Sequence, residues 1–210
     1  MALRKESFAI DEYYHVYSRG VDKRKIFLNN QDFRKFLFLM YICNSEKSIV
    51  LRDIGKSFDR GETIVDIGIY CLMPNHLHIL VREKIENGIS LYMRKLLTAY
   101  SMYFNLKYER RGKLFDGAFK SVHVNDDRYF KYLYSYIHLN PAKIIDKNWR
   151  DNIGRDSKKL LDFCLSYDNS SVVEYRNMNY KIINPQKFPS YFSLFSSHVS
   201  ELAEWLQLTP

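Results

Sequence analysis

The sequence has few of the features that mark secreted, membrane or cysteine-rich metal proteins. Its 210 residues include only three cysteines, Cys43, Cys71 and Cys164, and no two of them form a CxxC pair. This spacing argues against a cysteine-based zinc site and favours a reducing, cytoplasmic compartment. No apolar run approaches the ~20 residues that a membrane span needs, and the polar N-terminus does not resemble a signal peptide.

The chain also lacks internal repeats and low-complexity tracts, so its length fits one domain or one domain with an extension. Acidic residues are in the minority, and the formal net charge is +8. A basic chain favours polyanionic partners, either nucleic acid or an anionic surface. Aromatic residues make up 16% of the sequence. Rings mixed with cations suit single-stranded nucleic acid, because every base has a face on which a ring can stack.

The hydrophobic pattern predicts an α+β fold. The predicted order is strand, helix, strand, strand, helix, with a later helix, which is typical of an antiparallel sheet with helices packed on one face. Signals weaken beyond residue 146, so residues 1–146 are predicted as the domain and 147–210 as a C-terminal extension. The predicted strands cover 12–19, 62–72 and 76–83, an extended piece covers 113–124, and the helices cover 30–44 with Asn30 as cap, 88–109, the region from Asp126 to Asn140, and 191–207.

Two histidines lie two residues apart on a predicted strand. Residues at this spacing point to the same side of a strand, so His76 and His78 project together while Leu77 points into the core. Two imidazoles ~6–7 Å apart can converge on a divalent cation. The alternative is a pair of exposed histidines on a half-buried strand, and the spacing leaves it open. The other four histidines, His15 among them, show no comparable pairing.

A tyrosine and an asparagine lie one turn apart on the predicted helix that ends near residue 140. Tyr136 and Asn140 share one helical face, so a phenol and a side-chain amide could meet at one metal-bound phosphate. The alternative is a core ring followed by a C-terminal cap, because Pro141 stops the helix. Spacing alone leaves both interpretations open.

Basic residues form a third group of candidates. They follow the first strand, surround the end of the long helix and continue into the extended piece, where they could neutralise phosphates. The alternative is that they are solvated surface charges. The predicted DNA-binding residues are Arg19, Lys23, Arg24, Arg110, Arg111, Lys113 and Lys120.

Four short motifs, taken in order, resemble a known family. They are YHVYSRG at 14–20, MPNHLH at 73–78, GKLF at 112–115 and YIHLNP at 136–141. Together they resemble the single-tyrosine transposases of the HUH class, in particular the REP-associated tyrosine transposases. The resemblance covers roughly residues 10–145 and rests mainly on the second and fourth motifs.

The resemblance implies a ferredoxin-like fold and a DNA-cleaving site. It implies that His76, His78 and Asn140 bind Mg²⁺ or Mn²⁺ and that Tyr136 is the nucleophile, with Tyr132 and Tyr134 as lower-ranked rivals. The implied substrate is single-stranded DNA, as a hairpin or repeat sequence, cut and rejoined through a 5′-phosphotyrosine by a monomer or homodimer with no membrane partner. The alternatives are an HUH nickase for replication or mobilisation, a nucleic-acid-binding regulator without catalysis, and a zinc hydrolase.

Overall fold

The computed structural model describes residues 7–48, 54, 58–151, 156–192 and 194–208. Four strands form one antiparallel sheet in the order β2-β3-β1-β4. The strands are β1 (Tyr13–Arg19), β2 (Val65–Met73), β3 (His76–Glu83) and β4 (Lys120–His123). The helices are α1 (Asn30–Cys43), α2 (Gly88–Lys107), α3 (Asp127–Leu139), α4 (Ala142–Ile145), α5 (Ser157–Ser166), α6 (Val172–Asn177) and α7 (Phe195–Leu208).

The first six elements follow the order β1-α1-β2-β3-α2-β4, which is the ferredoxin-like arrangement. The predicted α+β class with an antiparallel sheet is therefore confirmed. Most predicted elements are also present to within a few residues. The cap of α1 differs, because the side chain of Asn29, not Asn30, accepts hydrogen bonds from the backbone of Gln31 and Asp32. Asp32 completes the capping box by accepting from the Asn29 backbone.

Helices cover both faces of the sheet, so the expectation of packing on one face was too narrow. On one face, α2 approaches β2 and β3 and also packs against α1, where the Tyr92 hydroxyl donates to the Met40 carbonyl oxygen (3.3 Å). On the other face, α3 lies over the sheet, and the ring of Phe130 packs against that of Tyr13 at 5.0 Å. An antiparallel sheet with apolar residues on both sides needs two covering layers. Every residue of β2 is buried, so this strand has buried side chains on both faces of the sheet and needs a covering layer on each.

The residues after α3 pack onto the domain. Tyr175, Ile183 and Phe188 join the main hydrophobic core, and Trp149 belongs to a second, smaller cluster beside the end of α3. A division at residue 146 stays a prediction. The three cysteines are free and buried. Within the described ranges, no helix has the length and apolar character that would carry it across a bilayer.

Candidate active site

The two predicted metal-binding histidines lie on β3 at the middle of the sheet. Leu77 and Ile79 are fully buried on the opposite face, as the period of two requires. The rings of His76 and His78 have centroids 5.0 Å apart. The turn formed by Pro74 and Asn75 precedes them, and the Nδ1–H of His76 donates to Oδ1 of Asn75 (2.6 Å). The turn residue thus fixes the orientation of the first imidazole.

A third histidine, His15, reaches the same site from β1. Tyr17 lies directly opposite His78 in the β1–β3 ladder, which places His15 diagonally across from His78. A buried hydrogen bond joins Nε2 of His15 and Nδ1 of His78 (2.8 Å). The prediction that His15 shows no pairing was therefore wrong. The pairing depends on the register between two strands, which the sequence does not reveal locally.

Burial keeps these imidazoles neutral at physiological pH. It lowers the pKa of His15 to about 4 and is also the main reason that the pKa of His76 falls to about 4. The pKa of His78 lies well below its usual value, first through burial and then through the neighbouring histidines and Lys143. A neutral imidazole has one nitrogen lone pair free to bind a cation.

Helix α3 brings the predicted nucleophile to this face of the sheet. The Tyr136 ring lies 5.6 Å from the His78 ring and 6.5 Å from the His15 ring, both measured between centroids. Its pKa is raised, mainly by burial and also by Tyr132, so the phenol is protonated at neutral pH. A hydrogen bond from Asn140 and the positive charge of Arg150 act in the opposite direction.

Asn140, at the end of α3, lies between His76 on β3 and Tyr136 on α3. Its side chain lies close enough to both the His76 ring and the Tyr136 hydroxyl to influence the pKa of each group. Its Nδ2–H₂ group donates to the Tyr136 carbonyl oxygen (2.9 Å), so the residue also fulfils the capping role that the alternative interpretation gave it. The Nδ2 contact leaves Oδ1 as the acceptor of the amide, and the Nζ of Lys143 lies 3.4 Å from it.

The two rival tyrosines occupy different places. Tyr134 is fully buried, and its hydroxyl is hydrogen-bonded to the His198 ring. Tyr132 stacks on Tyr136 with centroids 5.8 Å apart, and its other ring neighbours are Trp205 at 5.1 Å and Tyr129 at 6.1 Å. No ring contact joins either rival to His78 in the part of the chain that the structure describes. The structure therefore brings only Tyr136, among these three, beside the histidines.

The predicted DNA-binding residues fall into two groups. Arg19 and Lys120 lie opposite His76 and Tyr17 respectively, so they share the histidine-bearing face. Arg19 is partly engaged, because its guanidinium forms a half-exposed ion pair with Asp116 (2.8 Å). Lys120 is exposed on the edge strand. Both cations therefore lie on the face of the sheet that carries His76 and His78.

The remaining predicted cations lie in loops away from the histidine rings. Lys23 and Arg24 are exposed after β1, and Arg111 and Lys113 are exposed after α2. Arg110 instead lies over the Phe104 ring and donates to Asn105 (3.2 Å). Lys113 lines a surface groove of about 790 Å³ between α2 and residues 112–118. Their roles in DNA binding stay predictions.

Three site residues were missed by the sequence reasoning or given no role in the chemistry. His15 could have been suspected, because it alternates with Tyr17 along β1. Lys143 lies three residues after Asn140, which is one helical turn. Arg150 had no local signal, since its approach to Tyr136 depends on how the chain turns after α4.

A family model described as an IS200-like transposase matches residues 11–140, more than half of the chain. The chain belongs to the IS200-like transposase family. That family places it among the enzymes of DNA transposition. The match begins just before β1 and ends at Asn140, so it includes every residue placed at the site except Lys143 and Arg150.

The solved structure of another protein supports the fold of this IS200-like transposase. A REP-associated tyrosine transposase bound to a REP hairpin aligns with a TM-score of 0.51 and 13% identity, covering 90% of this chain and 92% of that one. A bacterial tRNA(His) guanylyltransferase-like protein in complex with ATP (TM-score 0.40, 12% identity, 90% and 76% covered) aligns more weakly. The tRNA(His) guanylyltransferase from Saccharomyces cerevisiae also aligns more weakly (TM-score 0.38, 12% identity, 91% and 86% covered). No curated protein matches the sequence.

Proposed function

We propose that this IS200-like transposase cleaves and rejoins single-stranded DNA, with Tyr136 as the nucleophile and a divalent cation held by His76, His78 and Asn140. The observation that supports the proposal most directly is the placement of the Tyr136 ring 5.6 Å from the His78 ring between centroids, with Asn140 hydrogen-bonded to the Tyr136 carbonyl and near His76. A nucleophile and a phosphate-binding cation must act on the same phosphorus atom, so they must lie together.

The donor atoms at the site fit Mg²⁺ or Mn²⁺. The Nδ1 atom of each site histidine is occupied, by Asn75 for His76 and by His15 for His78. In the tautomer that carries its hydrogen on Nδ1, each ring has the lone pair of Nε2 left to bind a cation, and fixed outer partners of this kind orient metal-binding imidazoles. The amide oxygen of Asn140 is a third neutral donor. Neutral donors leave a cation more of its charge for phosphate than carboxylates would.

A divalent cation at this site would bind non-bridging phosphate oxygens and offset the charge that grows on them during displacement. The remaining chemistry belongs to the chain. The Tyr136 oxygen forms a bond to phosphorus, and the bond from phosphorus to the 3′-oxygen of the preceding nucleotide breaks. The phenol proton is lost, and the released 3′-oxygen ends as a hydroxyl. The 5′-phosphotyrosine ester keeps its reactivity, so another 3′-hydroxyl can reverse the step onto a new strand.

The substrate proposed for this chain is a DNA hairpin with a single-stranded flank. Support comes from the REP hairpin bound by the structural neighbour and from the net charge of +8. Arg19 and Lys120 on the histidine face can contact backbone phosphates. The half-buried ring of Tyr17, between them and His78, can stack on a base.

The test uses labelled single-stranded hairpin oligonucleotides incubated with the protein and Mn²⁺. We expect a covalent protein–DNA adduct on a denaturing gel, which maps to Tyr136 by mass spectrometry and disappears in EDTA. Tyr136→Phe should abolish the adduct and retain DNA binding. Tyr132→Phe is the matched control, because this neighbouring ring on α3 stacks on Tyr136 but does not contact the histidines, and it should retain the adduct. An adduct that persists in Tyr136→Phe would refute the assignment.

A further inference from the structure

Two cations beyond the family match converge on the proposed nucleophile. The Nζ of Lys143 lies 5.5 Å from the centroid of the Tyr136 ring, and the Cζ of Arg150 lies 5.7 Å from it. Lys143 belongs to α4, and Arg150 follows the loop after that helix. The matched region ends at residue 140. These two side chains, called here the cation pair, are therefore supplied by a segment that the family model does not cover.

The cation pair has no carboxylate partner within the described ranges. Other basic residues do have one, as in the ion pairs of Lys107 with Asp32 (2.6 Å) and of Lys131 with Asp127 (3.4 Å). Lys143 instead contacts the amide oxygen of Asn140. The Nε atom of Arg150 is buried and has no hydrogen-bond partner.

Two like charges near one ring repel each other, and each loses solvation because both side chains are half-buried. An uncompensated charge of this kind is costly unless an anion joins it. The anion expected beside Tyr136 is the phosphodiester on which the tyrosine acts. The arginine fork suits two phosphate oxygens at once, whereas lysine acts as a point charge.

We infer that Lys143 and Arg150 form a clamp for the scissile phosphodiester on the side of the site that carries Tyr136. This role rests on the proposed function. The clamp holds the phosphate beside the Tyr136 oxygen, stabilises the negative charge as the new ester forms, and retains the monoanionic phosphotyrosine product. The cation pair forms no covalent bond, so both residues act by positioning and by charge.

DNA binding without metal tests the clamp separately from cleavage. Affinity for single-stranded oligonucleotides is measured in EDTA at several salt concentrations, for wild type, Lys143→Met and Arg150→Met. Methionine retains much of the aliphatic volume and removes the charge. We expect weaker binding, and a logarithmic salt slope reduced by about 0.7 for each phosphate that the protein no longer neutralises. Lys147→Met is the matched control, since Lys147 is an exposed cation of the same segment, and its slope should not change. Slopes that stay at the wild-type value in both clamp variants would overturn the inference.

Cleavage kinetics supply the second readout. At saturating DNA with Mn²⁺, we expect adduct formation to slow on the order of 10²-fold in Arg150→Met, as happens when a charge-stabilising donor is removed. Arg150→Lys should recover part of the rate because it restores the charge. If Arg150 only packs against Trp149, whose ring centroid lies 5.4 Å from the Cζ of Arg150, the variant should have lowered thermal stability and an unchanged salt slope. That pattern would also overturn the clamp.

The two hypotheses fail in different ways. If the wild-type protein forms no adduct but the salt slopes fall as expected, the proposed cleavage is wrong, and the cation pair binds DNA phosphate without a role in catalysis. If the adduct maps to Tyr136 but neither the slope nor the rate changes in the clamp variants, the proposed function stands and the clamp is wrong.

Discussion

Replacing His15 tests how the site orients the histidines that are proposed to bind the cation. Both His15 and His78 are buried, and a 2.8 Å hydrogen bond joins their rings. His15→Phe keeps an aromatic ring of similar size and removes the nitrogen that contacts His78. The Nδ1 atom of His78 is then buried without a partner, which costs about 1–3 kcal/mol. Its ring is also free to rotate or to change tautomer.

The expected consequence is weaker binding of the divalent cation. Removing an outer partner of a metal-binding histidine typically lowers affinity about 10- to 100-fold, which corresponds to about 1.4–2.7 kcal/mol. The measurement is Mn²⁺ binding by isothermal titration calorimetry, without DNA. His15→Gln offers an amide oxygen to the same ring and should recover part of the affinity.

His123→Ala is the matched control. It removes a histidine from β4, where the ring is exposed and contacts Glu12 (2.8 Å), so Mn²⁺ affinity should stay at the wild-type value. Circular dichroism of each variant establishes that the fold is retained. If folded His15→Phe bound Mn²⁺ as tightly as wild type, His15 would not orient His78, and the paired-histidine account of the site would be refuted.

Three further predictions concern stability. The pKa of buried His78 is lowered, so at acidic pH the unfolded chain binds a proton that the folded chain does not. The urea midpoint measured in EDTA should therefore be highest above about pH 6.5 and decrease as the pH is lowered further. A midpoint that does not change with pH would contradict this prediction. Asp32→Asn leaves Lys107 without its buried counter-charge and should cost about 3 kcal/mol in urea unfolding, whereas a decrease under about 1 kcal/mol would show that the pair contributes little. Gly68→Ala would place a Cβ 2.7 Å from the Phe188 ring and should cost about 1–3 kcal/mol by the same assay, a destabilisation that Phe188→Leu should partly relieve if the clash is its cause.

Local spacing was enough to predict which candidate residues share one face of a strand or helix, although it left open whether they form a site. His76 and His78 share a face because strands repeat every two residues, and Tyr136 and Asn140 meet because helices repeat every three to four. These rules describe a single strand or helix. They could not show that the strand and the helix face each other, and that expectation came from the family resemblance.

The missed residues depend on contacts between distant parts of the chain. His15 reaches His78 across 63 positions in sequence, through the register between β1 and β3. Arg150 reaches Tyr136 only after the chain turns at α4. A shift of one residue in a strand register would turn His15 to the other face, and no pattern within either strand fixes the pairing by itself. Helices on both faces were missed for a related reason, because buried strands alone do not say which helix covers which face.

The C-terminal segment contacts the side of α3 that faces away from His76 and His78. Successive residues on a helix are about 100° apart, so Tyr134 and His138 each lie about 200° from Tyr136 and project from the other side. There the Tyr134 hydroxyl is hydrogen-bonded to His198, and Nε2 of His138 is 2.8 Å from Oγ of Ser171. Since buried polar groups are costly to leave unpaired, these contacts oppose rotation of α3 about its axis. The residues after the matched region thereby hold the helix at the angle that points Tyr136 towards the histidines.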